Sequence, residues 1–411
     1  MKRFFKVMSL FLCLTLFMIP IKVSSHTHGG YSHDSSVNLS RPNWMAGLSD
    51  DLRINELSIP GTGNSMSYGK YTDFTLTQSM DLETQLNSGI RFLDLTLSHT
   101  GDTNLQVYTG LTNLGVTFVD VIKRVVAFLN KNNEEVVLIK VTEKDSESGN
   151  FAYAIRRSIE EAGLSDYIFD GSKSKNPTLG EARGKIILLA DYDGNKWRAI
   201  PYRDNSSIQD SNHLNTNWDL YSKWEKVKQH LTDTNRSKNK NTRYINYLTG
   251  SGGAFPYFVA SGHSSSGTGA DRLLTGLTEP AFKSKYPDFP RVGRLGVLAS
   301  IAFEGTNVLT LNYILKENLN FVGIVVADFP GEGLIREIID LNFKENSNNG
   351  SNIGSNNSGS SNGSTSTPNT DGWGFTFRNS GGNITNNNNN NNTTNNNSGN
   401  NNGNFGFWWS N

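Results

Sequence analysis

The sequence predicts an α/β fold: one parallel unit of alternating strands and helices, most readily closed as a barrel, followed by a disordered Asn-rich tail. Three observations point there. Short apolar segments alternate with stretches whose apolar residues recur every three or four positions, as in a parallel sheet with crossover helices. The alternation runs from about Arg41 to Glu345, roughly the length a barrel of this kind needs. From Asn346 onward aliphatic side chains nearly vanish, so that stretch cannot bury enough apolar area to offset its ordering entropy. Pattern alone does not separate a barrel from an open sheet.

The chain opens on Lys2, Arg3 and Lys6, then an apolar run from Met8 to Ile19 broken by Pro20, with the small residues Val23-Ser24-Ser25 beyond it. This reads as an export signal over residues 1–25; as a membrane anchor the run is short. No later stretch is apolar enough to span, so the protein is expected to be secreted. Residues 26–40 read as a polar leader. His26, His28 and His33 in it could grip a transition metal, but ahead of the fold they read as a solvated tail.

Residues 41–345 form the expected globular unit. Strands are predicted at Leu57-Ser58-Ile59, Ile90 to Leu97, Val136 to Val141, Ile186 to Ala190, Tyr244 to Leu248 and Val322 to Asp328. Phe118 to Leu129 and Phe151 to Ala162 carry helical spacing. Thr216 to Leu231 starts on an N-cap candidate, Thr216, and places Trp218, Tyr221, Trp224, Val227 and Leu231 on one stripe, read as a core face rather than a lipid-binding one.

Composition excludes several classes. Cys13 is the only cysteine and lies in the export signal, so the mature chain has no disulfide, thiol nucleophile or thiolate metal site. Lys plus Arg and Asp plus Glu both total 38. That balance argues against nucleic acid and against strong attraction to anionic lipid. The 346–411 tail carries two aromatic islands, Trp373 to Phe377 and Phe405 to Trp409, read as self-associating low complexity or as a short recognition motif. Glycosylation acceptors are expected at Asn38, Asn205, Asn235, Asn349, Asn362, Asn383 and Asn392 if the source is eukaryotic.

Four segments then occur in a telling order: Ser58-Ile59-Pro60-Gly61-Thr62, Gly89-Ile90-Arg91-Phe92-Leu93-Asp94, Pro177-Thr178-Leu179 with Arg183-Gly184-Lys185-Ile186, and Asp328-Phe329-Pro330. Asn43-Trp44-Met45 and the stretch from Tyr244 to Ser261 add to the set. Together the sequence resembles the phosphatidylinositol-specific phospholipase C X-domain family, secreted bacterial-type branch. The resemblance implies a distorted, incompletely closed TIM-type barrel. It also implies attack of an inositol hydroxyl on the adjacent phosphorus, releasing diacylglycerol and a cyclic phosphate. Such a reaction needs a base, an acid and a cation over the phosphate.

The family's residues for those roles are replaced. Gly63 stands where the base histidine belongs and Asn64 where an aspartate follows it. Thr96 stands for the arginine, and Thr109 for the acid histidine. Each proton-transfer group contributes about 10²–10⁴-fold, so the resemblance, with these departures, implies a catalytically deficient protein. Asp94, Arg183 and Asp328 match retained positions of the site rim, Asp328 as the partner of the missing base and Arg183 as a contact to the inositol ring. These residues could hold a polyol, or persist for structure. A family lysine expected near Thr142 is absent, with Glu143 a loose match. His99 and His263 read as ordinary loop residues rather than replacement bases. Asn64 and Asp94 could join a calcium cluster, but no metal or cofactor is expected.

Three readings follow. The first is a secreted X-domain-like protein binding an inositol lipid head group, a glycan or a protein. The second is an active phosphoric diester hydrolase cleaving phosphatidylinositol. The third is an extracellular matrix or coat component dominated by its tail.

Overall fold

The computed structural model describes residues 29–99, 104–144, 150–237 and 239–344. The expected export signal, His26, His28, the Asn-rich tail and the acceptors Asn349, Asn362, Asn383 and Asn392 lie outside the described residues.

Strand β1 (Ile59–Thr62) is followed by α1 (Leu82–Ser88), β2 (Phe92–His99), the hairpin β3 (Leu105–Thr109) and β4 (Thr112–Thr117), α2 (Phe118–Lys131) and β5 (Val137–Lys144). Next come α3 (Phe151–Glu161), the single turn α4 (Leu179–Ala182), β6 (Ile186–Asp191), β7 (Ile200–Pro201), β8 (Ser206–Gln209) and β9 (His213–Leu214). Then follow α5 (Asp219–Ser237), β10 (Arg243–Tyr247), β11 (Ser251–Gly252), α6 (Pro256–Ser261), β12 (Leu274–Thr278), β13 (Arg291–Leu295) and β14 (Leu298–Ala302). The last elements are α7 (Thr306–Lys316), β15 (Ile324–Ala327) and α8 (Glu332–Asp340).

The main sheet runs β7-β6-β5-β2-β1-β15-β10-β8, each neighbour parallel, with the β3–β4 hairpin attached antiparallel to β2. The sheet curls into a distorted, incompletely closed TIM-type barrel whose open seam lies between β7 and β8. Arg243 spans that seam: its guanidinium donates to Tyr202 O at 3.2 Å and to Ser206 Oγ at 3.2 Å. Backbone groups that no strand partner satisfies are thereby met by a side chain.

The helices read in the sequence form for the expected reasons. Thr117 and Asp120 close a capping box at the start of α2, and Phe118, Val121, Ile122, Val125 and Leu129 face the core. The stripe on α5 is a core face: Trp224, Val227 and Leu231 are buried in the second apolar cluster. The helix begins at Asp219, three residues later than expected. The Asp219 carboxylate accepts the N–H groups of Asn215 and Thr216, so Thr216 lies in the turn ahead of the helix.

The Gly-Ile-Arg motif is a structural plug at the end of the barrel where the strands begin. Arg91 is fully buried, with Nε 2.8 Å from Glu135 Oε2. Its other nitrogens donate to Leu86 O, Ile90 O and Pro42 O at 2.7, 2.8 and 2.7 Å. Glu135 Oε1 in turn accepts Met45 N–H. Gly89 ends α1 with φ +111°, and a Cβ there would stand 2.5 Å from Ile339 Cδ1, so both backbone sign and space demand glycine.

The leader reading needs correction. Residues 29–33 form a strap within the fold. Gly29 O and Gly30 O accept Leu334 N–H and Gly331 N–H, and Ser32 N–H donates to Phe329 O. The His33 ring stacks on Phe329 with centroids 4.8 Å apart, and Tyr31 is buried. The physical reason is steric and aromatic: a Cβ on Gly30 would meet Val308 Cα at 2.9 Å, so only glycine passes there. Two aromatic side chains then dock behind it.

Candidate functional site

In a parallel barrel the side chains that project inward past the strand ends form the mouth. Strand register identifies them here. Thr62 pairs with Leu93, so Gly63 stands one step along, level with Asp94; Asp94 in turn pairs with Lys140, and Lys140 with Leu189. Two residues further, Thr96 pairs with Thr142 and Thr142 with Asp191. From the other side β15 and β10 bring Asp328 and Tyr247. The retained carboxylates Asp94 and Asp328 are thus brought together with Gly63, Thr96 and Lys140.

Gly63 is fixed in place. Its N–H donates to Ala327 O at 3.1 Å, and its carbonyl accepts Thr77 Oγ1 at 3.0 Å and Gln78 Nε2 at 2.9 Å. A Cβ on it would stand 2.6 Å from Thr249 Cγ2 and 2.9 Å from Asp328 Oδ1. The space a base side chain would need is filled by Thr249. Asn64 adopts φ +42°, a left-handed conformation that asparagine tolerates.

Asp328 is buried, and burial pushes its carboxyl well above the usual carboxylate range, with Lys223 opposing that rise. Gly250 N–H donates to the carboxyl, while Oδ1 has no hydrogen-bond partner. Lys223 comes from α5, with its Nζ donating to Tyr247 O at 2.6 Å. Burial lowers its ammonium to about 7, and the nearby Asp210 and Asp328 carboxyls work against the shift. Asp328 thus faces a lysine as its counter-charge, where the resemblance pairs it with a histidine.

Lys140 was not singled out from sequence. Its Nζ lies 3.4 Å from Asp94 Oδ2 and 3.9 Å from Asp191 Oδ2. It sits 4.9 and 5.4 Å from the ring centres of Tyr202 and Tyr247, and Tyr202 OH donates to Tyr247 OH at 3.1 Å. The signal was available: a charged residue inside the apolar run from Val136 to Val141, in step with Asp94. The lysine absent from position 142 is met by one two residues earlier on the same face.

Other expected residues fall elsewhere. Arg183 does not reach the mouth. It precedes β6 at the opposite end of the barrel, donating to Glu134 O, Leu48 O and Met45 O and pairing with Asp50 Oδ1 at 2.6 Å. Its role is to tie the segment before β1 to the sheet. Thr109 also departs: Tyr108 lies directly opposite Thr96, so alternation turns Thr109 to the other face, with Val107 and Leu105. Alternation likewise sets His99 and Glu143 outside the mouth. His263 is buried beside Tyr31, with ring centres 5.4 Å apart, and the neighbouring Ser261 and Ser264 hydroxyls donate to Tyr257 O and Asp271 O. No hydroxyl there is aligned as a nucleophile toward the ring.

The mouth-facing positions of these strands therefore present carboxylates, lysines, threonine hydroxyls and tyrosines, and none of those named is a histidine or an arginine. Such groups hydrogen-bond hydroxyls in either direction. Among the described residues no group of three or more His, Cys, Asp or Glu could hold a metal ion, and no helix is long and apolar enough to cross a membrane.

Comparison with known proteins accords with this architecture. Residues 57–192 match the family model described as phosphatidylinositol-specific phospholipase C, X domain. A 1-phosphatidylinositol phosphodiesterase of Listeria monocytogenes is 29% identical over 210 residues, covering 48% of this chain and 64% of that relative's length. Another, from Staphylococcus aureus, is 27% identical over 272 residues, covering 59% of this chain and 81% of the relative. Among solved structures, the phosphatidylinositol-specific phospholipase C from Listeria monocytogenes superposes with a TM-score of 0.53 at 23% identity, over 74% of this chain and 99% of that one. A variant of the Staphylococcus aureus enzyme gives 0.54 at 21% identity, over 74% and 98%. The structural likeness shows the shared fold. On its matched residues and its bacterial relatives, the chain belongs to the phosphatidylinositol-specific phospholipase C X-domain family.

Proposed function

We propose that this chain is a secreted X-domain protein without useful phosphodiesterase turnover, whose barrel mouth binds a hydroxyl-rich group such as an inositol-type head group or a glycan. The observation that carries the reading is the packing at Gly63. Thr249 Cγ2 and Asp328 Oδ1 occupy the space a base side chain would take, and the backbone there is clamped by Thr77 and Gln78. Thr96 places a hydroxyl where the family's cation belongs, and a threonine cannot replace a guanidinium. Secretion rests on the amino-terminal signal. The competing reading, phosphatidylinositol cleavage, draws its support from the names of the relatives.

The test is phosphatidylinositol cleavage by the purified protein, beside a version carrying Gly63→His, Asn64→Asp, Thr96→Arg and Thr109→His, and a third adding Thr249→Ala. Removing Cγ2 leaves Thr249 Cβ 3.6 Å from the new side chain, an ordinary contact. No diacylglycerol release by the natural protein is expected, with any restored activity confined to the version carrying Thr249→Ala. Release by the natural protein in proportion to its concentration refutes the reading.

A further inference from the structure

The module of β12, β13 and β14 lies apart from the barrel mouth chemistry and has an unusual surface. It is a three-stranded antiparallel sheet, order β12-β14-β13. Leu295 pairs with Leu298 across the β13–β14 hairpin, so Gly296-Val297 forms a two-residue turn, with Gly296 at φ +60°. Such turns ordinarily carry Asn, Asp or Gly. Here Val297 stands at the tip 86% exposed, flanked by Leu295 at 59% and Leu298 at 44%. Exposed apolar side chains gathered at one tip mark a contact surface.

The charge around the tip has one sign. Within residues 274–302 the acids are Glu279 and Asp288. Glu279 pairs with Arg291 at 2.8 Å, and Asp288 pairs with Lys228 of α5 at 2.7 Å while accepting Trp224 Nε1. Lys283, Lys285 and Arg294 remain as exposed cations. The zero net charge of the whole chain therefore conceals a local excess of positive charge beside an apolar tip. A protein partner could match either feature. An apolar wedge with cations around it matches in particular a surface of acyl chains beneath anionic head groups.

We propose that the β13–β14 hairpin is an interfacial anchor, Leu295, Val297 and Leu298 entering an anionic phospholipid surface while Lys283, Lys285 and Arg294 meet its head groups. The module packs against the barrel through Tyr286 and Phe289, whose rings meet Tyr221 at 5.2 and 5.0 Å, so the anchor is rigidly tied to α5. The anchor is independent of whatever the mouth binds.

The experiment is sedimentation of the full protein with vesicles of phosphatidylcholine alone or with phosphatidylserine, free of inositol lipids, at low and high salt. Binding is expected only with phosphatidylserine and should weaken with salt. Lys283→Gln/Lys285→Gln/Arg294→Gln should lower it about 100-fold, from about fivefold for each cation. Leu295→Ser/Val297→Asn/Leu298→Ser should lower it at least about tenfold through lost apolar contact. Both variants should melt as the natural protein does, since the altered side chains are exposed. Absence of binding by the natural protein overturns the proposal. So does loss that follows Phe74→Ser, an exposed aromatic outside the module, instead of the hairpin changes. Self-association that disappears with the tip variant, without vesicles present, assigns the surface to a second copy and also overturns it.

Discussion

The ammonium of Lys140 reaches Asp94 across one parallel strand pair, its Nζ 3.4 Å from Oδ2, and so joins two neighbouring strands at the level where the mouth begins. Asp191 stands on its other side at 3.9 Å. Lys140→Met removes the cation between two carboxylates and leaves them facing one another. The side chains are partly reached by solvent, so the cost falls between that of an exposed and a buried pair, about 2 kcal/mol. Urea unfolding should show a lowered midpoint, and Lys140→Met/Asp94→Asn should recover part of the loss. An unchanged midpoint in Lys140→Met would show that the pair contributes nothing net.

The Arg91–Glu135 pair is different in kind, being entirely removed from water. Glu135→Gln leaves the guanidinium buried without its counter-charge and weakens the contact to Met45 N–H. A loss of about 3–5 kcal/mol is expected, read as a fall in Tm of roughly ten degrees for a domain of this size. A fall of a degree or two would mean that the carbonyls of Leu86, Ile90 and Pro42 suffice to hold the guanidinium.

Lys223 gives the fold a pH signature. Its ammonium titrates near 7 in the folded protein and at 10.5 as a free side chain, so between those values the unfolded chain binds more protons. Stability contributed through this group therefore rises as pH climbs through that window. Asp328 works in the opposite sense from the ordinary carboxylate range upward, because its folded carboxyl holds its proton more tightly. Tm measured from pH 7 to 10 should rise more steeply, or fall less, in the natural protein than in Lys223→Met. Parallel profiles would show that Lys223 stays charged in the fold.

The barrel's six expected strands were legible because central parallel strands are buried on both faces and read as unbroken apolar runs. The β3–β4 hairpin and the β12–β14 module were not legible: their strands are short, half-exposed and rich in Gly, Thr and Arg, so no period dominates. At the site, Asp94, Gly63 and Thr96 share a face that alternation alone could specify. Lys223 could not be placed that way, because it arrives from a helix crossing the outside of the barrel. Arg183 was misplaced because a motif gives order along the chain but not the end of the barrel at which a side chain emerges. Thr109 was misplaced because one residue of strand parity decides its face.

The glycine strap sets a limit on amino-terminal trimming. A protease that cuts at or before residue 28 leaves Gly29 and Gly30 threaded between α7 and α8, and the first turn of α8 keeps its two backbone acceptors. A cut only a few residues later would release Tyr31 and His33 together, stripping both rings from Phe329, the residue held at φ +47° directly after Asp328. The distance between harmless maturation and damage to the mouth is thus a handful of peptide bonds.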